Sequence, residues 1–209
     1  NKKCVVTAGP TVEMIDTIRY LSNQSSGKQG YEIASQLALN GANVILITGP
    51  TNLDPPPNVK LVKIISAEEM FTKIKQIKNV DIGFFAAAVS DFKYNKVLTK
   101  KIKKKEKINL SLVKNIDILE TLGNNPNYRP KILVGFAAET GDISYAKRKL
   151  IQKNCDIIIY NKINNRNKVF GSNYNKISII TKKEIKNFKK KKKVNCAKEI
   201  INYTYNYSL

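Results

Sequence analysis

The chain has 209 residues, 42% of them hydrophobic, which suits one domain with a proper core and excludes a disordered polymer. Its formal net charge is +21 and it contains no histidine, so Ser-His-Asp and Cys-His nucleophile schemes are excluded and acid–base work falls to Lys, Asp, Glu or Tyr. The longest apolar run, near Ile82 to Val89, is far too short to span a bilayer, and Cys4, Cys155 and Cys196 are widely spaced with no CxxC, which fits a reducing compartment without a disulfide framework or structural zinc.

CVVTAGP (4–10) reads as a short buried strand ending in a Gly-Pro turn. The opening NKKCVVTAGP is thus strand and loop, not a secretory signal, and without an initiator Met it reads as a piece of a longer chain. Gly30, Ile33, Ala34, Leu37 and Ala38 fall on one helical face over 28–40, and Gly41 closes that helix. ANVILITGP (42–50) is a second buried strand, followed by a stiff loop at Pro55 to Pro57 and an alternating strand at 59–65. Ser66 and Glu69 form a capping box for a helix bearing Met70, Ile74 and Ile77. VDIGFFAAAV (80–89) is a third apolar strand. From Ser90 to Lys107 the pattern fails, and the stretch reads as a polar, basic, mobile flap. Then follow an alternating strand (108–114), a short helix in NIDILETLG, a buried strand (131–140), a helix (Ile143 to Asn154), strands at 155–160 and 176–181, and a last helix over roughly Val194 to Tyr205. Continuous apolar strands alternating with helices predict an α/β, doubly wound, largely parallel Rossmann-like sheet with helices on both faces and a basic flap. Ligands in such folds sit off the carboxyl ends of the strands, where TAGPT, TGPTN, AAAVSD and GFAAET lie.

SNQSSGKQG (22–30) opens the first helix. Backbone N–H groups, the Ser25 and Ser26 hydroxyls, a flexible Gly27 and the Lys28 charge suit an anion, or else one of the serines simply caps the helix. The stretch is neither a Walker A nor a GxGxxG. AAAVSD (86–91) would let a flat ring approach the backbone, with Asp91 beside it to bind a metal or hydroxyl or to cap a turn. GFAAET repeats the small-residue theme next to Phe136; the alternative is close packing of sheet on helix. Two basic runs, KKIKKKEK (100–107) and KKKKK (189–193), raise the question of nucleic acid. The lysines are spread along the chain, no zinc-finger, RRM or KH signature is present, and the runs lack interleaved aromatics, so a solvated surface is the favoured reading. A nicotinamide-dependent oxidoreductase would need the GxGxxG that TAGPT does not supply.

Taken together, TAGPTVEMID and RYLSNQSSGKQG (7–30), AAAVSDF (86–92), KKIKK (100–104), LVKNIDIL (112–119), VGFAAET (134–140), KLIQKNCDIIIYN (149–161) and FGSNYN (170–175) resemble phosphopantothenoylcysteine synthetase of the bacterial type. The resemblance implies a single ligase domain over residues 1–209, with a flexible flap at about 90–107, excised from a bifunctional chain whose other half is an FMN-dependent decarboxylase. It implies ligation of 4′-phosphopantothenate with L-cysteine, driven by CTP with Mg²⁺ through an acyl-cytidylate, in a cytoplasmic homodimer acting in coenzyme A biosynthesis, with no specific nucleic-acid or membrane partner. Carried onto this chain, Asn23 handles the acyl-cytidylate and Lys101 is the flap lysine that helps form it. Phe85, Ala86, Ala87, Asp91, Lys101, Ile116, Asp117, Ile118, Leu119, Phe136, Lys149 and Lys153 contact the nucleotide; Ser25, Ser26, Gly27 and Lys28 hold a phosphate; the metal comes with the nucleotide, with Asp91 as its candidate protein ligand. Position 116 is Ile where the family pattern has Pro.

Overall fold

The computed structural model describes residues 1–103, 107–163 and 171–207; residues 104–106 of the basic run and Phe170 of FGSNYN lie outside the described residues. In chain order the first half comprises β1 (Lys3–Ala8), β2 (Val12–Met14), β3 (Tyr20–Ser22), α1 (Lys28–Leu39), β4 (Asn43–Thr48), β5 (Val59–Lys63), α2 (Ala67–Lys75) and β6 (Ile82–Phe85). It continues with β7 (Phe92–Tyr94), β8 (Leu112–Lys114), α3 (Ile118–Gly123), β9 (Ile132–Glu139), α4 (Ile143–Gln152) and β10 (Ile157–Lys162). The C-terminal part adds β11 (Tyr174–Asn175), β12 (Ile177–Ile180), β13 (Ile185–Asn187), β14 (Lys191–Lys192) and α5 (Lys193–Tyr207).

An eight-stranded sheet runs in the order β13-β12-β10-β9-β6-β1-β4-β5. The six strands from β10 to β5 are mutually parallel, and β12 and β13 add an antiparallel edge. The expected largely parallel, doubly wound α/β sheet is therefore the observed one. Its strands are apolar on both faces because both faces are covered. Cys4, Val6, Leu46, Phe84, Val134 and Ile159 point to the side of α1 and α5, where Ile33, Leu37, Ile200 and Ile201 meet them. Their neighbours Val5, Ile47, Leu133 and Ile158 point the other way, onto Met70 and Ile74 of α2, Leu122 of α3 and Leu150 of α4. Each fully buried Leu or Ile contributes roughly 1.5–3 kcal/mol by leaving water, and strand alternation delivers one to each face in turn.

Local chemistry sets the helix ends. Gly41 closes α1 as expected: its N–H donates to the Ala38 carbonyl and that of Ala42 to the Leu37 carbonyl. At the start of α2 the Ser66 hydroxyl accepts from the Glu69 N–H, and the Glu69 carboxylate accepts from Ile65 N–H, one residue earlier than a standard capping box. α3 starts at Asp117, whose carboxylate caps the Glu120 N–H. Neither Ser25 nor Ser26 caps α1. Its N-cap is Gly27, at φ 72° and with no side-chain cap bond. A side chain there would be strained, and its Cβ would lie 2.8 Å from the Thr51 methyl. Gly30 lets α1 lie close on β1, since a Cβ would fall 2.6 Å from that of Ala8.

Three-residue strands are brief for a periodicity reading, and among the described residues two hairpins of them lie outside the main sheet. β2 pairs with β3, and β7 with β8, both antiparallel. Of the second, β7 lies inside the region expected to lack structure and β8 within the alternating strand expected at 108–114, so the root of the flap is a ribbon. The described part of the flap is also tethered. Asp16, only 1% exposed, accepts from the N–H groups of Ile18 and Arg19 (both 2.8 Å), the Arg19 guanidinium (2.6 Å) and the Ile102 N–H (2.9 Å). Leu98 N–H donates to the Ile15 carbonyl. The Ile102 N–H, ahead of the opposing cost of burial and aided by the Arg19 and Ile18 N–H groups, holds the Asp16 carboxyl far below the usual carboxylate range.

A carboxyl with a depressed value contributes stability that is present above the unfolded value near pH 4 and is lost as pH falls from there. Asp16→Ala should therefore speed amide hydrogen exchange at Leu98 and Ile102 by at least about tenfold at pH 7, with the β-sheet core unchanged. In the unsubstituted protein the same protection should decay below about pH 4. Exchange unaltered by the substitution would show that the tether does not hold the flap.

Candidate active site

α1 leaves β1 toward one face of the sheet and α3, which follows β6, packs on the other. The two adjacent strands therefore send their loops apart, and a cleft of about 460 Å³ opens between them at the carboxyl edge. Its base is a continuation of the β1–β6 ladder. Ala86 N–H donates to the Thr7 carbonyl, Ala88 N–H to Gly9, and Thr11 N–H to Ala88. Two threonine hydroxyls complete the seam, Thr7 accepting from Ala87 N–H (3.2 Å) and Thr11 from Ser90 N–H (3.0 Å). Asn23 is clipped to the same loop, its side-chain amide donating to the Val89 carbonyl at 2.8 Å.

The residues expected from sequence converge here. Asn23, Ser25, Ser26, Gly27, Lys28, Phe85, Ala86, Ala87, Asp91, Ile116, Asp117, Ile118, Leu119, Phe136, Lys149 and Lys153 all line the cleft, although they come from segments 130 residues apart in the chain. Lys101 is the exception: it is exposed and outside the lining, one residue before the Ile102 anchor to Asp16. Lys28 is turned away from a purely anionic role, donating to the Gly171 carbonyl (3.1 Å) and the Asn173 side chain (2.7 Å). A second hollow of about 620 Å³ adjoins the cleft; Ser25, Ser26 and Lys28 belong to both, and the TGPTN loop forms its far side.

The charged groups on the α3–α4 wall are paired. Lys153 contacts Asp117 at 2.6 Å and Lys149 contacts Glu139 at 2.5 Å. Burial alone would raise the Asp117 carboxyl, but the Lys153 ammonium and the Glu120 N–H outweigh it and hold the group below its ordinary value. The wall therefore presents ion-paired side chains beside a space lined by Phe85 and Phe136. A planar, polar ring between apolar walls is what such a slot accommodates. Among the described residues no cluster of three or more His, Cys, Asp or Glu could cage a metal. Asp91 on the cleft wall suits a cation that arrives already bound to phosphates, because Mg²⁺ needs only one or two carboxylates besides its substrate oxygens.

Several lining residues are not among the expected site residues: Gln29, Asn161 and Asn175, which lie within the quoted motifs, and Lys193, which does not. Lys193 had been absorbed into the KKKKK run. That run divides: Lys189 and Lys190 are exposed, Lys191 pairs with Glu199 at 2.5 Å, and Lys193 is 5% exposed. A signal existed in its helical spacing. Lys193 shares one stripe with Cys196, Ala197, Ile200, Ile201 and Thr204, all buried on α5.

The family model for the DNA/pantothenate metabolism flavoprotein C-terminal domain matches residues 1–207. The chain is 44% identical to the coenzyme A biosynthesis bifunctional protein CoaBC of Borreliella burgdorferi, covering 98% of this chain and 53% of that protein. It is 43% identical to the same-named protein of Haemophilus influenzae, covering 94% of this chain and 50% of that one, so it spans about half the length of these curated relatives. Among solved structures, the C-terminal domain of a coenzyme A biosynthesis bifunctional protein CoaBC superposes with a TM-score of 0.82 at 35% identity, covering 98% of this chain and 94% of that one. A Cab2 variant in complex with phosphopantothenate-cysteine shares the fold, with a TM-score of 0.76 at 18% identity over 99% of this chain and 87% of that one. By fold, by identity and by a match running almost end to end, the chain belongs to the DNA/pantothenate metabolism flavoprotein C-terminal domain family.

Proposed function

We propose that this domain is a phosphopantothenate–cysteine ligase acting in coenzyme A biosynthesis, and that it works as one part of a longer chain with a flavin-dependent decarboxylase. The observation that supports the reading is that residues expected to contact nucleotide and phosphate, scattered from Asn23 to Lys153, line one cleft at the switch point of the sheet. Relatives that span this chain and as much again are coenzyme A biosynthesis bifunctional proteins.

The reaction has two halves. The carboxylate of 4′-phosphopantothenate attacks the α-phosphate of CTP, forming an acyl-cytidylate and releasing pyrophosphate. The amine of L-cysteine then attacks the acyl carbon, CMP leaves, and the nitrogen sheds a proton. Alignment and charge neutralisation can drive both steps, so the absence of histidine is no obstacle. The base lies between Phe85 and Phe136 against the small Ala86-Ala87 edge, and Asp117 and Lys153 hold the ribose side. The phosphate of phosphopantothenate rests on the Ser25-to-Lys28 turn, with the adjoining hollow giving room for its arm. Mg²⁺ arriving with the nucleotide would neutralise the phosphates, and Asp91 would hold it. Asn23, clipped to Val89, orients the acyl group.

Lys101 completes the site from a neighbouring copy. Phe92, Val97, Leu110 and Leu112 on and beside the β7–β8 ribbon are exposed apolar residues, as are Ile18 and Tyr20 by the β2–β3 ribbon packed next to it. Exposed apolar residues on two packed ribbons next to the flap suit a homodimer interface that carries each Lys101 toward the partner's cleft.

Pyrophosphate release with 4′-phosphopantothenate and Mg²⁺ should require CTP, with ATP a poor substitute, and amide product should appear only when cysteine is added. Release with neither nucleotide from folded protein would end the ligase reading. Lys101→Ala should lower pyrophosphate release by about 10³-fold with the fold retained, and unchanged turnover would remove Lys101 from the mechanism. With Asn23→Ala, pyrophosphate should still form while acyl-cytidylate accumulates; passage to cysteine at the parent rate would refute the role given to Asn23. Phe92→Asp should shift sedimentation from dimer to monomer and depress activity with it, whereas a dimer of unchanged affinity would place the interface elsewhere.

A further inference from the structure

Resting on the reading of Asp91 as the carboxylate that meets the nucleotide's metal, we propose that Asn115 is its positioning residue: one asparagine holds the peptide groups on both sides of Asp91 and so sets where that carboxylate stands in the cleft.

Asn115 follows β8 and precedes α3, buried and outside the cleft lining. Its backbone N–H donates to the Asp91 carbonyl at 2.8 Å, and its side-chain N–H₂ donates to the Ser90 carbonyl at 3.1 Å. Those two carbonyls belong to the peptide planes that flank the Asp91 Cα. Peptide planes are rigid, so holding both fixes the φ and ψ of Asp91 and leaves its carboxylate only the side-chain rotations. The orientation of the Asn115 amide is set locally, because its oxygen accepts from the Ile116 N–H at 2.9 Å, which turns the nitrogen toward Ser90. Ser90 is also held by the Thr11 hydroxyl, which accepts from its N–H, and its own hydroxyl donates to the Phe92 carbonyl at 2.7 Å. Neither bond touches the two carbonyls that Asn115 holds.

Two carboxylates line the cleft, Asp91 and Asp117. Asp117 pairs with Lys153 and caps α3, whereas the Asp91 side chain makes no hydrogen bond or ion pair among the described residues. An exposed, unpaired carboxylate has nothing at its own end to hold it, so its place is set from the backbone. Asn115 also lies two residues before Asp117. It therefore joins the loop that carries one carboxylate to the helix start that carries the other, and fixes the span between the two ends of the nucleotide assigned to them. A cation that takes one or two carboxylates besides phosphate oxygens binds more tightly to such a loop, because nothing has to be ordered when it arrives.

The test is a double-mutant cycle on nucleotide binding, read by calorimetry with CTP in Mg²⁺ and again in EDTA. In Mg²⁺, Asp91→Ala should weaken CTP binding by roughly 30-fold and Asn115→Ala by roughly tenfold, while in EDTA each should stay within about threefold of the parent. The double variant in Mg²⁺ should lie within about twofold of Asp91→Ala, because Asn115 acts through the residue already removed. Binding of 4′-phosphopantothenate without nucleotide should stay within about threefold of the parent throughout. Losses that multiply to about 300-fold in the double variant, or an Asn115→Ala loss that is as large in EDTA, would make Asn115 a purely structural residue and overturn the proposal. If Asn115→Ala does not fold, Asn115→Ser takes its place in the cycle, keeping a polar group at the buried position while falling short of the Ser90 carbonyl. Parent affinity in Asn115→Ala beside a weakened Asp91→Ala would overturn the positioning role alone. Parent affinity in Asp91→Ala itself would overturn the reading of Asp91 first, and the role of Asn115 with it, which separates the two failures.

Discussion

The backbone ladder between β1 and β6 does not stop where the strands do. It runs on through Thr7, Gly9 and Thr11 on one side and Ala86, Ala88 and Ser90 on the other, joined by N–H to carbonyl bonds and by two buried threonine hydroxyls. Buried backbone donors must find acceptors, and this seam supplies them where the chain has left regular sheet. Everything in the cleft hangs from it. The N–H groups of Ala86, Ala87 and Ala88 are spent on the TAGPT loop, and Asn23 is held at the cleft by the Val89 carbonyl. The divergence of α1 and α3 to opposite faces then makes the seam the floor of an opening and not the interior of a core.

Electrostatics in the cleft are more conservative than the net charge of +21 suggests. Lys149 and Lys153 are matched by Glu139 and Asp117, and Lys28 is directed at loop oxygens of Gly171 and Asn173. Partly buried cations with assigned partners are oriented in advance, which costs little rearrangement when a charged substrate arrives. The bulk of the lysines are exposed, in keeping with the solvated-surface reading of the basic composition. Lys193 departs from that pattern because its position on α5, not its identity, decides its surroundings.

The flap joins fold to function by a different device. A single buried carboxylate, Asp16, gathers the turn at residues 18–19 and the flap backbone at Ile102. This holds the described part of a glycine-free basic stretch close to the body of the domain while leaving the side chain of Lys101 in solvent. The exposed apolar residues on the adjacent ribbons are those on which the proposed dimer rests.

Much of this was legible beforehand. Long apolar strands separated by helical periods dictate a parallel sheet covered on both sides, since no other arrangement buries such runs and satisfies their backbone. The helix start at Ser66 and the stop at Gly41 follow from side-chain and backbone chemistry within a few residues. The cleft-lining motifs were legible because TAGPT, SNQSSGKQG, AAAVSD and GFAAET sit at strand ends, where the fold class already puts ligands. The three-residue strands β2, β3 and β7 were not, because so short an alternation is indistinguishable from loop. The N-cap passed from the serines to Gly27 because packing against Thr51 left no room for a side chain at that point. Sequence by itself determined the elements, their order and the chemistry each loop could offer, because those depend on neighbours along the chain. Only the tertiary structure decided that Lys193 and Gln29 face one cleft while Lys101 stands outside it, because burial and distance between residues far apart in sequence are fixed by how helices seat on the sheet, which no local pattern encodes.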